Sequence, residues 1–216
     1  MKKYSIFKTA SIYLLLVVVM MSCGSSTEEE MTNPTATQYD ITPILSKFVG
    51  TGLTVSVNGN FVTFTTQNLP DHKSPYWPAN NALYEAYNGV NSNFHLNPNR
   101  IRSQNISISV PLNPSEARNK QATSLGPIGV SVNGVVFYNQ YAGPNNQALT
   151  NEINSFDQFL GHPQQSGQYH YHVEPTYLTG QFGDSAFLGL LADGFPVYGP
   201  IENGKTITNS DLDAYH

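Results

Sequence analysis

Apolar and polar positions alternate with a period of two through much of the chain after residue 50, the pattern of half-buried strands. In "LTVSVNGNFVTFTT" (53–66), Asn58-Gly59 supplies the two positive-φ positions of a type I′ hairpin turn. That turn sets Val55 opposite Val62 and Leu53 opposite Phe64, giving one apolar face. "IGVSVNGVVFYN" (128–139) repeats the device around Asn133-Gly134 and sets Val130 opposite Phe137. "NISISVPL" (105–112) places Ile106, Ile108, Val110 and Leu112 on one face. "AFLGLLADGFPVYGP" (186–200) reads as an apolar strand, an Asp193-Gly194 turn and a return strand. Pro196 has no N–H to give a neighbour, so the return strand belongs at an edge or in a loop. Leu149, Ile153, Phe156 and Leu160 recur at helical spacing and predict one short helix, stopped by Gly161. The fold expected is mainly β: an antiparallel β-sandwich-like domain with one or two short helices. Segments 67–104 and 113–127, rich in Asn, Pro and Gly, are expected to be structured surface loops.

The pattern changes near the N-terminus. Lys2, Lys3 and Lys8 precede an apolar run from Ile12 to Met21 that is too short to span a bilayer, so residues 1–22 read as a secretory signal. Met20-Met21-Ser22-Cys23 resembles a bacterial lipobox, which implies lipid on Cys23, the only cysteine. Two or more acyl chains suffice for stable anchoring. Residues 23–38 are a polar linker, and residues 39–216 form the domain. Glu28-Glu29-Glu30 resembles an acidic surface-export signal and equally fits a solvated charge run. The expected location is the outer membrane, lipid-anchored, facing the periplasm or the cell exterior.

Charge removes one class of partner. Of ten Lys and Arg, three lie in the signal, and the remaining balance is 7 − 15 = −8. Phosphate backbones require a basic surface, so nucleic acid is excluded. With Cys23 lipidated, no thiol remains for a disulfide, a thiolate metal site or a nucleophile. The chain has no Gly-x-Ser-x-Gly elbow, which argues against a serine hydrolase.

Half of the six histidines fall in "GHPQQSGQYHYHVEP" (161–175). On a strand, His170 and His172 share one face, with Glu174 next in the row, while Tyr169, Tyr171 and Val173 share the other. A turn at Ser166-Gly167 brings His162 to the same face. Three imidazoles suit zinc or copper, and nothing indicates an organic cofactor. Asp157 stands where it could orient an imidazole from behind. The same pattern also fits an exposed polar face or a buried hydrogen-bonded pair. His72 and His95 lie in polar segments that read as surface.

"GHPQQSGQYHYH" followed by "LADGFPVYGP" resembles the YHYH-domain family of bacterial secreted proteins. The resemblance extends to "LPDHKSPYW" (69–77), "GPIGVSVNGVVFYN" (126–139) and "DLDAYH" (211–216). It implies cysteines shortly before the Gly-His and shortly after the YHYH, where this chain has Phe159 and Tyr177; aromatic packing could replace the disulfide. It also implies a second histidine module: "SFDQFLGH" and "DLDAYH" align with Asp157 over Asp213, so a continuation beginning Gly-His is expected. Two functions follow. The first is a metal-binding lipoprotein domain using His162, His170 and His172, with Asp157 behind them and a second group from the further module or His72. The second is a glycan- or protein-binding module, for which thirteen tyrosines, Trp77 and abundant Asn provide the surface chemistry.

Overall fold

The computed structural model describes residues 39–212. The signal segment, Cys23, the linker up to residue 38 and the ending from Asp213 to His216 lie outside the described residues. The fold is mainly β. A three-stranded antiparallel sheet consists of β1 (Leu53–Asn58), β2 (Phe61–Thr66) and β3 (Ile106–Pro111) in that order. Next come β4 (Pro127–Ser131), β5 (Val136–Tyr138) and a small hairpin of β6 (Tyr141–Ala142) and β7 (Gln147–Ala148). The chain continues through β8 (Gly161–Pro163), β9 (Tyr169–Tyr171), helix α1 (Thr176–Phe182), β10 (Phe187–Leu191) and β11 (Pro196–Tyr198). A second small hairpin, β12 (Ile201–Glu202) with β13 (Lys205–Thr206), follows. The larger sheet has six strands in the order β11-β10-β4-β5-β9-β8, antiparallel except where β9 lies parallel to β5. Pro196 is on an edge strand, as its missing N–H requires.

Both sheets feed one core. Val62, Phe64 and Val110 of the smaller sheet meet Val130, Leu188 and Leu190 of the larger, together with Tyr169 and Tyr171. Phe48 bridges them, 4.5 Å from the Phe64 ring and 5.8 Å from that of Phe187.

Two hairpin registers differ from the sequence expectation. In β1–β2 the loop is Gly59-Asn60, so Val55 faces Phe64 and Val57 faces Val62. Gly59 alone takes a positive φ, +57°; a turn with glycine at its first central position needs only one such residue. The partner shifts by two residues, so parity is kept and Val62 and Phe64 still share the buried face. In β4–β5 the loop has three residues. Ser131 N–H donates to Val135 C=O (2.8 Å), Gly134 N–H donates to Ser131 C=O (2.9 Å), and Gly134 sits at φ +84°. Val130 therefore faces Val136, and Gly129 faces Phe137. Asn133 is not spent on a positive φ: its side chain accepts from Ser131 Oγ and donates to Asp71.

The β10–β11 loop has the same construction: Leu191 N–H to Phe195 C=O (2.9 Å), Gly194 N–H to Leu191 C=O (3.0 Å), and Gly194 at φ +95°. The two loops are 191 − 131 = 60 residues apart, and Val130 pairs directly with Leu190, its counterpart at the same offset. A local pseudo-twofold axis between these residues relates β4–β5 to β10–β11.

Segment 113–127 is mostly exposed, as expected. The first part of segment 67–104 is not a surface loop. Asn68, His72, Ser74, Tyr76 and Trp77 are all buried there. Buried backbone must find hydrogen-bond partners, and side chains supply them. Asn68, at φ +54°, donates to Tyr169 C=O (2.7 Å) and accepts from Val136 N–H (2.9 Å), binding this segment to β9 and β5.

The helix expected over 149–160 reduces to a single 3₁₀ turn, Glu152–Ser155. Beyond it, the Asp157 carboxylate takes the N–H of Phe159 (2.9 Å) and of Gly161 (3.3 Å), while Asp157 N–H donates to Gly161 C=O (2.8 Å). A side chain that captures nearby N–H groups competes with the helix ladder and wins here. Leu160 adopts φ +62° and Gly161 starts β8. The α-helix lies instead at α1, just after Pro175, and ends at Gly183 with φ +97°.

Candidate metal centre

β9 carries the two-faced row that the alternation predicts. On one face Tyr169 donates its hydroxyl hydrogen to Asp157 Oδ2 (2.8 Å). The Tyr171 hydroxyl meets His72 Nε2 (3.1 Å). His170 and His172 turn the other way. The β8–β9 turn repeats the three-residue loop a third time: Gln164 N–H donates to Gln168 C=O (3.0 Å), and Gly167 holds φ +86°. A Cβ on Gly167 would come within 2.6 Å of the Arg100 carbonyl oxygen. This register sets His162 directly opposite His170. Gly161 is required for a related reason, because a Cβ there would lie 2.4 Å from the buried Tyr169 hydroxyl.

The three Nε2 atoms converge. His170 Nε2 is 3.1 Å from that of His162 and 3.1 Å from that of His172. Glu152 Oε1 is 3.2 Å from His162 Nε2 and 3.9 Å from His172 Nε2. All four donor atoms lie within 4.8 Å of one another. At a zinc–nitrogen distance of ~2.0–2.1 Å, a 3.1 Å separation subtends roughly 95–100° at the cation, inside the range between octahedral and tetrahedral ligation.

The far side of each ring holds its Nδ1. His170 Nδ1 donates to Gln168 C=O (3.1 Å) and His172 Nδ1 to Asn139 C=O (2.5 Å). Carbonyl oxygens only accept, so the hydrogen of each neutral ring is on Nδ1. His162 Nδ1 is 2.7 Å from Ser155 Oγ, whose own hydrogen goes to Glu152 C=O (2.8 Å); Ser155 therefore accepts as well. His170 and His172 thus aim two Nε2 lone pairs at one point, which His162 Nε2 and the Glu152 carboxylate also face. These lone pairs repel one another unless a proton or a cation lies between them.

Burial favours the neutral state of His170 and His172. It pushes the His170 pKa well below the ordinary imidazole value and lowers that of His172, and the neighbouring imidazoles act in the same direction. The hydrogen bond with His162 holds the Glu152 carboxyl below its usual value. Tyr138 stacks on His170 at 3.9 Å and stands edge-on to His172 at 5.5 Å. Burial raises its phenol to about 12. Phe156 is edge-on to His162 at 4.8 Å and parallel to His172 at 5.8 Å. These walls fix ring orientation and keep out competing donors.

The structure thus brings together His162, His170 and His172. Asp157 is elsewhere, on the tyrosine face, where it accepts from Ser74 Oγ (2.6 Å) and Tyr169; the imidazole acceptor expected of it is Ser155. Glu174 accepts from Thr179 instead of joining the histidines. His72 is buried, contrary to its expected surface position, and packs behind the strand with Tyr171. His95 is exposed, as expected. Glu152 was missed. Its only sequence signal is that of an acid ten residues before His162, and the expected helix gave it no reason to face the histidines. Phe159 and Tyr177, at the places where the resemblance implies cysteines, pack edge to face at 5.3 Å, with His72 against both.

No curated protein and no solved structure matches this chain. The family model described as "YHYH protein" matches residues 107–214, a stretch that holds β4 to β13 and every one of the four converging donors. With half of its length under that match, the chain belongs to the YHYH family.

Proposed function

We propose that the domain binds a transition-metal cation, zinc or copper, through the Nε2 atoms of His162, His170 and His172, with the Glu152 carboxylate as fourth donor. The observation that supports this most directly is the orientation of all three rings: each Nδ1 is bound outward and each Nε2 faces inward, beside the Glu152 carboxylate. Imidazole nitrogen suits either metal, and the Asp157 region offers no competing ligand set. A cation held there would supply Lewis acidity beside an open cavity, so a catalytic role and a structural one are both chemically available.

Chelator-stripped protein is expected to take up one equivalent of Zn²⁺ or Cu²⁺ and to melt at a higher temperature, because a ligand bound by the native state adds RT ln(1 + [L]/Kd). The gain is expected to fade as pH falls below the ordinary imidazole value of ~6.5 and through the depressed values of His170 and His172, where protons compete for the ligands. Metal analysis and calorimetry across that range check it. A melting temperature indifferent to both ions at pH 7.5, with no ion retained on gel filtration, would overturn the reading.

We further propose that the domain is displayed at the outer membrane on a lipid attached to Cys23, at the end of the polar linker. The basic start, the short apolar run and the lone cysteine support this. Cys23→Ala is expected to move the protein from the membrane to the soluble fraction or to leave the precursor uncleaved. Unaltered processing and fractionation would rule the anchor out.

A further inference from the structure

A cavity of about 420 Å³ opens onto Glu152, His170 and His172, within the size range of small-molecule sites. Its walls include Tyr138, Tyr141, Gln164 and Gln165. Among the described residues no Lys or Arg lines it, and Glu152 is its only acidic side chain. A free anion would find no counter-charge there apart from a bound cation. What the walls offer instead is neutral chemistry: phenol rings, and amides that both donate and accept. One face of Tyr138 is taken by His170, but Tyr141, on the β6–β7 hairpin, is 36% exposed. The Gln164 side-chain nitrogen is held by Ser166 and Gln168, whereas the Gln165 amide has no hydrogen-bond partner among the described residues.

An aromatic face, an uncommitted amide and a cation site on one cavity wall match the parts of a sugar ring: its C–H face, its hydroxyls, and two adjacent oxygens able to reach a metal together. We propose that this cavity receives the terminal residue of a neutral saccharide, stacked on Tyr141, hydrogen-bonded by Gln165, with a vicinal diol turned to the cation. The inference rests on the metal reading above and gives that site its ligand class.

Gly143 provides a way to close the cavity without touching the histidines. It lines the cavity, and a Cβ there would meet only Leu125 Cδ1, at 3.9 Å. The zinc-loaded full-length domain would be titrated calorimetrically with methyl α-mannopyranoside, methyl β-glucopyranoside and methyl β-xylopyranoside, with glucuronate as the charged comparison. At least one neutral glycoside is expected to bind in the millimolar range, and zinc removal to abolish binding. Tyr141→Ala is expected to weaken binding about tenfold. Gly143→Phe is expected to eliminate it, and both variants should retain a full equivalent of zinc. Zinc uptake with no binding of any neutral glycoside overturns this inference and leaves the metal site standing. Glycoside binding that survives Gly143→Phe or zinc removal, or tighter binding of glucuronate, also overturns it. Absence of zinc uptake overturns both readings.

Discussion

Replacing His170 with alanine is expected to abolish tight uptake of Zn²⁺ and Cu²⁺ while leaving the domain folded. His170 is the middle donor, 3.1 Å from both other Nε2 atoms, so its loss removes a ligand that no neighbour can replace. Deleting a supporting partner of a ligand already costs roughly 10–100-fold in affinity, and deleting the ligand itself is expected to cost more than about 100-fold. The effect on folding is expected to be smaller, about 1–3 kcal/mol. The variant loses the ring stacked on Tyr138 but also removes a lone pair that faces the one on His172.

The same variant tests the pH behaviour of the metal-free protein. The His170 and His172 pKa values are depressed on folding, chiefly by burial, and so is that of His72. For such groups the unfolded chain binds more protons than the native state. Their contribution to stability is complete above the ordinary value of ~6.5 and is lost as pH falls from there toward the depressed native values. Asp157 acts in the opposite direction, since burial raises its pKa and falling pH through that raised value favours the native state. Metal-free wild type should therefore lose stability on acidification below pH ~6.5, and His170→Ala should show a shallower slope. Wild-type metal uptake by His170→Ala would remove the proposed centre, and an unchanged acid slope would remove the account of burial.

Asp157→Ala is expected to be among the most destabilising single substitutions, by about 3–5 kcal/mol. Asp157 is 1% exposed and accepts from two hydroxyls, Ser74 and Tyr169, and from the N–H groups of Phe159 and Gly161. Alanine leaves these four donors, three of them buried, facing an empty space. Asp157→Asn keeps one carbonyl oxygen for the two N–H groups and turns an amide toward two hydroxyls that can rotate to accept, so a cost of about 1–2 kcal/mol is expected. Urea unfolding with an unchanged m-value measures both. Alanine and asparagine variants of equal, near-wild-type stability would show that the carboxylate network does not hold the loop. Because this loop also sets Ser155 and Gly161, metal affinity should fall with stability in the alanine variant.

Strand content and the edge placement of Pro196 were legible because they depend on local alternation and on a missing N–H. The two sides of the Tyr-His-Tyr-His segment were legible for the same reason, since strand geometry alone separates His170 from Tyr171. Register was less so. Asn58-Gly59 and Asn133-Gly134 each allow more than one loop, and the choice depends on which residue takes the positive φ and on the side-chain bonds made by Asn133. The apolar spacing of Leu149 to Leu160 misled because Asp157 diverts the backbone N–H groups, an effect of one buried side chain that periodicity does not record. His72 and Glu152 were unreadable for one shared reason. Neither position follows from local periodicity: His72 is placed by packing against the distant Tyr171, and Glu152 by a 3₁₀ turn facing β8 where a helix was expected.

All four converging donors lie between Glu152 and His172, in one short run of chain, whereas β9 must also find β5, more than thirty residues earlier. Contacts within a short run close quickly, and the parallel pairing across a long connection is slow. An ion could therefore engage the nascent segment before the domain exists, pinning β8 against β9 and presenting the tyrosine face as a preformed template for β5 and His72. Binding to the unfolded chain subtracts from the gain in native stability. The equilibrium benefit of the metal would then understate its effect on folding speed, and in a refolding experiment the ion would show as a faster rate, in addition to the higher melting temperature.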